Sequence, residues 1–372
     1  MKLSCLQENL AKGLSIVGRA VPSRTTMPIL GNVLLATDHG QLKLAATNLE
    51  LSIVHRVGAR VETEGSLTVP ARNFIDLVNS LPPDQVVLEM DEETLSMALH
   101  CGMVKAAFRG LSAEEFPEVP EAEVGDGVAI EAGDLCQGLG HVIFAASADE
   151  SHPVLTGVLA EFEGETLTLA AADGFRLSVR HIPLVHQVPQ AFSVIIPARA
   201  LSELLRILGG QEEPVGISTA GVHNQILFRL QDTLLNSQLI DGTFPDYRRI
   251  IPSAHTTRVV LGRAEWLQAC KRAAIFARDV ANIVRMQMES GEVVVSAVSA
   301  ESGEGSTRLS ASVEGEPLEI AFNVRFLIDV LSALDTPQVA LELNSPTQPG
   351  VIKAVGDEAA FTHVVMPMHL GR

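Results

Sequence analysis

Tyrosine and tryptophan each occur once in the 372 residues, and aromatic side chains make up only 4% of the chain. Any core must therefore be aliphatic, which a hydrophobic content of 47% can supply. The cysteines Cys5, Cys101, Cys136 and Cys270 are scattered, without redox or metal-ligand spacing. That excludes a disulfide framework and a structural zinc site, and it is the pattern of a reducing cytosol. No apolar run reaches the roughly 20 residues of a membrane-crossing helix. The opening Met1-Lys2-Leu3-Ser4-Cys5-Leu6-Gln7-Glu8 lacks the apolar stretch of a signal peptide, so a cytoplasmic protein away from membranes is expected.

Positive charge is short as well. Lysine and arginine number 27 against 45 acidic residues, a formal charge of −18. Residues 1–125 carry 10 basic and 16 acidic groups, 126–253 carry 7 and 15, and 254–372 carry 10 and 14. Phosphate neutralisation drives most non-specific DNA affinity, so this is not the charge balance of a conventional DNA-binding module. Any work on nucleic acid requires the base to be segregated from the acid. Catalytic signatures are missing too: there is no phosphate loop, no Gly-x-Gly-x-x-Gly, no His-Glu-x-x-His and no Gly-x-Ser-x-Gly. His181 and His186 read as surface residues of a loop, and Asp91-Glu92-Glu93 as a solvated turn. Asp173 before Gly174 reads as turn chemistry, ahead of the alternative of a lone catalytic acid. Neither an enzyme nor a metal or cofactor site is expected.

What the chain does contain is a threefold repeat. Val69-Pro70-Ala71-Arg72-Asn73-Phe74-Ile75-Asp76-Leu77-Val78 returns as Ile196-Pro197-Ala198-Arg199-Ala200-Leu201-Ser202-Glu203-Leu204-Leu205 and as Phe322-Asn323-Val324-Arg325-Phe326-Leu327-Ile328-Asp329-Val330-Leu331. Arg72, Arg199 and Arg325 are 127 and 126 positions apart. Each copy places apolar residues at i, i+3, i+4 and i+7, such as Phe74, Leu77, Val78 and Leu81, which make one apolar stripe on a helix. Pro82-Pro83, Gly209-Gly210 and Pro337 end the three stripes. A cation in the first turn of a helix opposes the macrodipole. Three such placements point to a charge wanted outside the helix; pairing with a local carboxylate, or packing of the arginine stem, is the competing reading. Other landmarks keep the period: Leu44-Ala45-Ala46-Thr47-Asn48 matches Leu169-Ala170-Ala171-Ala172-Asp173, and Phe116-Pro117 matches Phe244-Pro245. A period near 126 marks whole domains rather than solenoid repeats.

The first third reads as a strand 2–6, a helix 7–20, strands 31–37, 41–47, 50–61 and 66–69, a helix 72–81 and strands 85–90, 94–100 and 103–109. Asp38-His39-Gly40 is a hairpin turn. The second third repeats the order, with a helix from Asp134 to Ala146 and hairpin turns at Glu163-Gly164-Glu165 and Gln231-Asp232. The third begins with a helix from Arg263 to Arg278 that carries Arg263, Lys271, Arg272 and Arg278 against Glu265. Each third thus has two helices and about eight antiparallel strands, a layered α+β domain.

Five segments carry a resemblance: Pro28-Ile29-Leu30-Gly31-Asn32, Val69-Pro70-Ala71-Arg72, Asp173-Gly174-Phe175-Arg176-Leu177, Asp241 through Arg249, and Val364-Val365-Met366-Pro367-Met368. Through them the chain resembles, over its whole length, the bacterial DNA polymerase III beta subunit family of replicative sliding clamps. The resemblance implies an α+β DNA-clamp fold of three repeated domains, 1–125, 126–253 and 254–372, each with two helices packed on antiparallel sheets. It implies a head-to-tail homodimeric ring with helices lining the hole. The implied function is non-enzymatic: to encircle duplex DNA without reading its sequence and to tether the replicative polymerase. The clamp loader, repair polymerases and mismatch-repair proteins are the further partners it implies, and no cofactor.

Carried onto this sequence, Arg24 matches a loop arginine of the family that touches DNA. Arg72, Arg199 and Arg325 are lining candidates from the repeat, joined by Lys12, Lys271, Arg272 and Arg278. The family's partner-peptide pocket matches Leu155, Ala172, Gly174, Phe175, Arg176, Leu177, Pro245, Arg249, Ile250, Val364, Met366, Pro367 and Met368. The family's dimer seam matches Lys105, Phe108, Ile275 and Phe276, with Glu301 and Glu304 as partners for Lys105. Phe175, Ala172 and His369 replace a histidine, a threonine and an arginine of known clamps, which bears on peptide preference. Met103 replaces a basic residue, which shifts the seam from ion pairs towards Phe108 and Phe276. The alternative reading is a clamp-fold scaffold that binds peptides without encircling DNA.

Overall fold

The computed structural model describes the chain except for residues 92, 121–126, 221–223, 280 and 370–372. The expected domain boundary at 125/126 and Glu92 of the acidic turn lie outside the described residues. Among those described there are six α-helices and 25 strands. The helices are α1 (Gln7–Val17), α2 (Ala71–Ser80), α3 (Ala132–Val142), α4 (Ala198–Leu208), α5 (Arg263–Ala277) and α6 (Val324–Ala333).

The repeat is visible as a strand that runs straight into a helix. Strand Ser66–Pro70 leads into α2, Phe192–Pro197 into α4 and Leu318–Asn323 into α6. The predicted stripes are the buried ones. Helix α2 buries Phe74 and Val78, α4 buries Leu201, Leu204 and Leu208, and α6 buries Leu327, Val330 and Leu331. Phe74 is fully enclosed; its truncation to alanine is worth about 3–5 kcal/mol. Helix α6 has a side-chain cap that α2 lacks: the Asn323 side chain accepts from the Arg325 main-chain nitrogen at 3.0 Å.

Contacts divide the chain into two compact units, Met1–Ala132 with Arg206–Leu239, and Gly133–Leu205 with Ile240–Arg372. In the first unit a five-stranded sheet has the order Arg60–Thr63, Lys2–Leu6, Gln85–Asp91, Ser96–Cys101, Val104–Arg109. An eight-stranded sheet in the same unit joins strands of two repeats, because Thr233–Gln238 pairs with Leu51–Val57. Helices α1 and α2 pack on each other in this unit.

In the second unit a twelve-stranded sheet again joins two repeats. Arg176–Pro183 pairs antiparallel with Phe361–Val365, Arg176 opposite Val365 and Leu177 opposite Val364. Helices α5 and α6 pack together over a core that includes Trp266, Phe322, Leu327 and Phe361, with few aromatics and many valines and leucines. A separate cluster of Leu159, Ala170, Leu177, Val179, Phe244, Tyr247, Val351 and Val364 lies under strand Arg176–Pro183.

Some local readings need correction. The expected strand 50–61 is two strands, Leu51–Val57 and Arg60–Thr63, that enter different sheets, with Gly58 and Ala59 between them. Helix 7–20 ends as α-helix at Val17 and closes in a 3-10 turn, Gly18–Ala20. His181 is not in a loop: it pairs with Thr168 inside strand Arg176–Pro183, and its Nδ1 lies 2.9 Å from the Thr168 hydroxyl. The hairpin at 38–40 is as expected, with His39 at φ 49° and Gly40 at φ 77°. All four cysteines are free thiols, and burial pushes those of Cys5 and Cys270 up to about 12.

Candidate binding surfaces

The pocket lies within the second unit, where the turn 173–176 meets the end of strand Phe361–Val365. Asp173 makes the turn as an Asx motif: its Oδ1 accepts from the main-chain nitrogens of Phe175 at 2.9 Å and Arg176 at 3.0 Å. Gly174 sits at φ +88°, in the left-handed region that disfavours a side chain. The chain then enters strand Arg176–Pro183, and beyond the ladder Met366 N–H donates to the Phe175 carbonyl at 2.8 Å. These segments enclose a cavity of about 220 Å³ lined by Ala172, Gly174, Phe175, Arg176, Leu177, Ile250, Val364 and Met366.

Phe175, Ile250 and Met366 are 62%, 42% and 38% exposed, so large apolar side chains stand in water around the opening. Leu177 and Val364 form its floor and belong to the buried cluster below. Leu155 packs on that cluster rather than lining the cavity. Pro245 and Arg249 are exposed, and Arg249 is ion-paired with Asp246 at 2.8 Å. Pro367 and Met368 follow the rim residue Met366, and the Met368 N–H donates to the Ala321 carbonyl at 2.8 Å.

Arg176 is the one charged lining residue, and its side chain is only 10% exposed. Nε donates to Asp173 Oδ2 at 3.0 Å, Nη1 to Asp329 Oδ2 at 2.5 Å and Nη2 to the Phe144 carbonyl at 2.7 Å. The guanidinium also lies over the Phe326 ring at 4.5 Å. Asp329, Phe144 and Phe326 were not expected at this site. Behind the pocket, His363 is fully buried, its ring nitrogens without a hydrogen-bond partner among the described residues, next to Phe144 at 5.4 Å. Burial, with help from Arg176, lowers its pKa to about 3.

The basic candidates form a second set. Lys12, Arg24, Arg72, Arg199, Lys271, Arg272, Arg278 and Arg325 are all exposed. Arg72, Arg199 and Arg325 are each the second residue of their helices, α2, α4 and α6. Asp76, Glu203 and Asp329 stand one turn further on, yet among the described residues none of the three arginines has a carboxylate within 4.0 Å. Arg24 lines a separate cleft in the first unit with Pro22, Thr25, Thr26, Leu30 and Asn48.

The seam candidates lie on or beside two sheet edges. Val104–Arg109 is the last strand of the five-stranded sheet, exposing Lys105, while Phe108 turns inward with its ring edge-on to Phe74 at 5.3 Å. In the second unit, strand Gly303–Gly315 pairs with Glu292–Ser299 along residues 303–310 and with Thr257–Gly262 only along 311–315. One backbone edge of residues 303–310 is thus unpaired among the described residues. Glu301 and Glu304 are exposed there, with Ile275 57% exposed on α5. Phe276 is half-buried against Gly305, where a methyl group would meet its ring at 2.6 Å. Val298, opposite Glu304 in the ladder, is a further exposed apolar residue that the sequence reading missed.

Comparison with known proteins agrees along the whole chain. Models of the N-terminal, central and C-terminal domains of the DNA polymerase III beta subunit match residues 1–120, 129–246 and 248–369. The beta sliding clamp of Synechococcus elongatus is 37% identical over 376 residues, and that of Escherichia coli K12 is 32% identical over 372, each covering all of both chains. The solved Bacillus subtilis DNA polymerase sliding clamp is similar at a TM-score of 0.94 and 28% identity, over the full length of both chains. The Pseudomonas aeruginosa sliding clamp bound to griselimycin is similar at 0.93 and 31%, again over both full lengths. With all three domain models in order and full-length relatives above 30% identity, the chain belongs to the DNA polymerase III beta subunit family, the beta sliding clamps.

Proposed function

We infer that this chain is a non-catalytic sliding clamp that encircles duplex DNA and tethers the replicative polymerase for processive synthesis. The observation that carries this reading is the unbroken family match across all three thirds of the chain. The working form is a head-to-tail homodimer of three-domain subunits, with domains 1–125, 126–253 and 254–372. Two unlike sheet edges support that form, one offering Lys105 and the other Glu301 and Glu304. Sliding requires few phosphate contacts and no base readout. Arg24, Arg72, Arg199 and Arg325 supply them, aided by Lys12, Lys271, Arg272 and Arg278, while the acidic remainder repels DNA.

The cavity floored by Leu177 and Val364 takes short apolar peptide segments of partner proteins. Those partners are the replicative polymerase, the clamp loader, repair polymerases and mismatch-repair proteins, in the cytoplasm. Exposed Met366 gives the rim an adaptable surface suited to several sequences. Primer extension on a primed single-stranded circle, with polymerase and clamp loader, tests the function. Addition of this protein lengthens the products made in one binding event. A peptide-binding scaffold that does not encircle DNA leaves their length unchanged.

A further inference from the structure

We infer that Asp329 is a positioning residue of the peptide pocket, acting through Arg176 to hold Phe175 at its rim. The inference rests on the pocket reading above.

Helix α6 carries Arg325 and Asp329 at i and i+4, on the same face, where the default is a pair between them. Asp329 is turned elsewhere: its Oδ2 accepts from Arg176 Nη1 at 2.5 Å, across 153 residues of chain. Arg176 stands between Phe175 and Leu177, both of which line the cavity. Its bond to Asp173 lies within the turn, so it shapes the turn but cannot fix it against the rest of the unit. The bonds to Asp329 and to the Phe144 carbonyl do that, from α6 and from the segment after α3, beside the main-chain bond from Met366 to the Phe175 carbonyl. Phe326, one turn before Val330 on α6, stacks on the guanidinium at 4.5 Å and holds its plane.

Phe175 needs such a support. It is largely exposed, follows a glycine at φ +88° and has little packing of its own. A peptide side chain entering the cavity meets a wall whose position is set by Arg176. Charge-assisted bonds to a mostly buried guanidinium are the strong ones, so removal of the Asp329 charge loosens that wall. Three of the five guanidinium N–H donors of Arg176 are engaged internally, which fixes its orientation.

The test uses griselimycin as the probe, with calorimetric titration of the intact protein. Phe175→Ala and Met366→Ala weaken binding if the pocket reading holds; parental affinity in both overturns that reading, and this inference with it. Given those losses, Asp329→Asn weakens the probe about tenfold, and Asp329→Glu recovers part of the loss. In the double variant Asp329→Asn/Phe175→Ala, the first change adds little beyond the second, because both act on the same wall. Parental affinity in Asp329→Asn, or fully additive losses in the double variant, overturns the positioning role. Should Asp329→Asn lose its native thermal transition, Phe326→Leu replaces it, which removes the stacking face and no charge; the same non-additivity with Phe175→Ala is expected.

Discussion

The main-chain nitrogen of Met366 donates to the carbonyl oxygen of Phe175 at 2.8 Å, one step beyond the ladder in which Val365 faces Arg176. The C-terminal tail is thereby tied to the turn it faces. Removal of residues 366–372 deletes one wall without touching either sheet edge assigned to the seam. Polymerase stimulation is expected to vanish while native mass still reports two chains per particle. Loss of the dimer instead contradicts the placement of the pocket.

Charge reversal tests the second set of residues. Arg72, Arg199 and Arg325 share one helical position and have no carboxylate partner among the described residues. Their replacement by Glu, together with Arg24→Glu, is expected to cut loading or retention on nicked circles, with the deficit largest at low salt and shrinking as salt is raised. Each lost phosphate contact removes about 0.9 from the log–log salt slope. Affinity for a short apolar peptide is expected to stay at the parental value, since none of the four arginines lines the cavity. Parental loading contradicts the lining assignment.

The seam is tested at Ile275, more than half exposed beside the unpaired edge of residues 303–310. Burial of such a side chain contributes roughly 1.5–3 kcal/mol. Ile275→Asp is therefore expected to weaken the dimer by at least about tenfold, read by sedimentation equilibrium, without a change in the thermal transition of the subunit. An unchanged dimer constant places the seam elsewhere.

Acid sensitivity follows from two buried histidines of the second unit. His363 is held neutral by burial and by Arg176, with a pKa near 3. His141, 5.2 Å from Phe361, is held near 4 by burial and Arg180, against Asp335 and Asp357. Both folded values lie below the unfolded value of 6.5. The unfolded state therefore binds more protons between about pH 6.5 and 4, and stability falls as pH drops through that window, by up to about 1.4 kcal/mol per pH unit for each histidine. Urea midpoints from pH 7.5 to 4.5 measure this, and His363→Leu is expected to flatten the slope. An equal slope in the variant contradicts the assignment.

The architecture was legible because its signals are local. Apolar spacing located α2, α4 and α6 to within one or two residues, and turn chemistry located the hairpins at His39-Gly40 and Gly164. The pairing of Thr233–Gln238 with Leu51–Val57, and of Arg176–Pro183 with Phe361–Val365, was not legible, since strands from different repeats carry no sequence mark of their neighbours. Residues 50–61 read as one strand because their composition is uniform, and the switch between sheets is a backbone event at Gly58 and Ala59. At the pocket, the turn residues and the Met366 tail came from the resemblance. The support of Arg176 did not: whether Asp329 bonds its helical neighbour or an arginine 153 residues away is decided only by packing. The burial of His141 and His363 likewise leaves no trace in the sequence, because histidine is a residue of intermediate burial.

The central claim is topological, so it is best tested by topology. The protein is loaded with a clamp loader onto nicked circular DNA, isolated with it, and the circle is then cut once. A ring that encircles the duplex stays on the circle and slides off the ends within the time of the cut. Retention on the linear product equal to that on the circle contradicts encirclement and leaves only a peptide-binding scaffold.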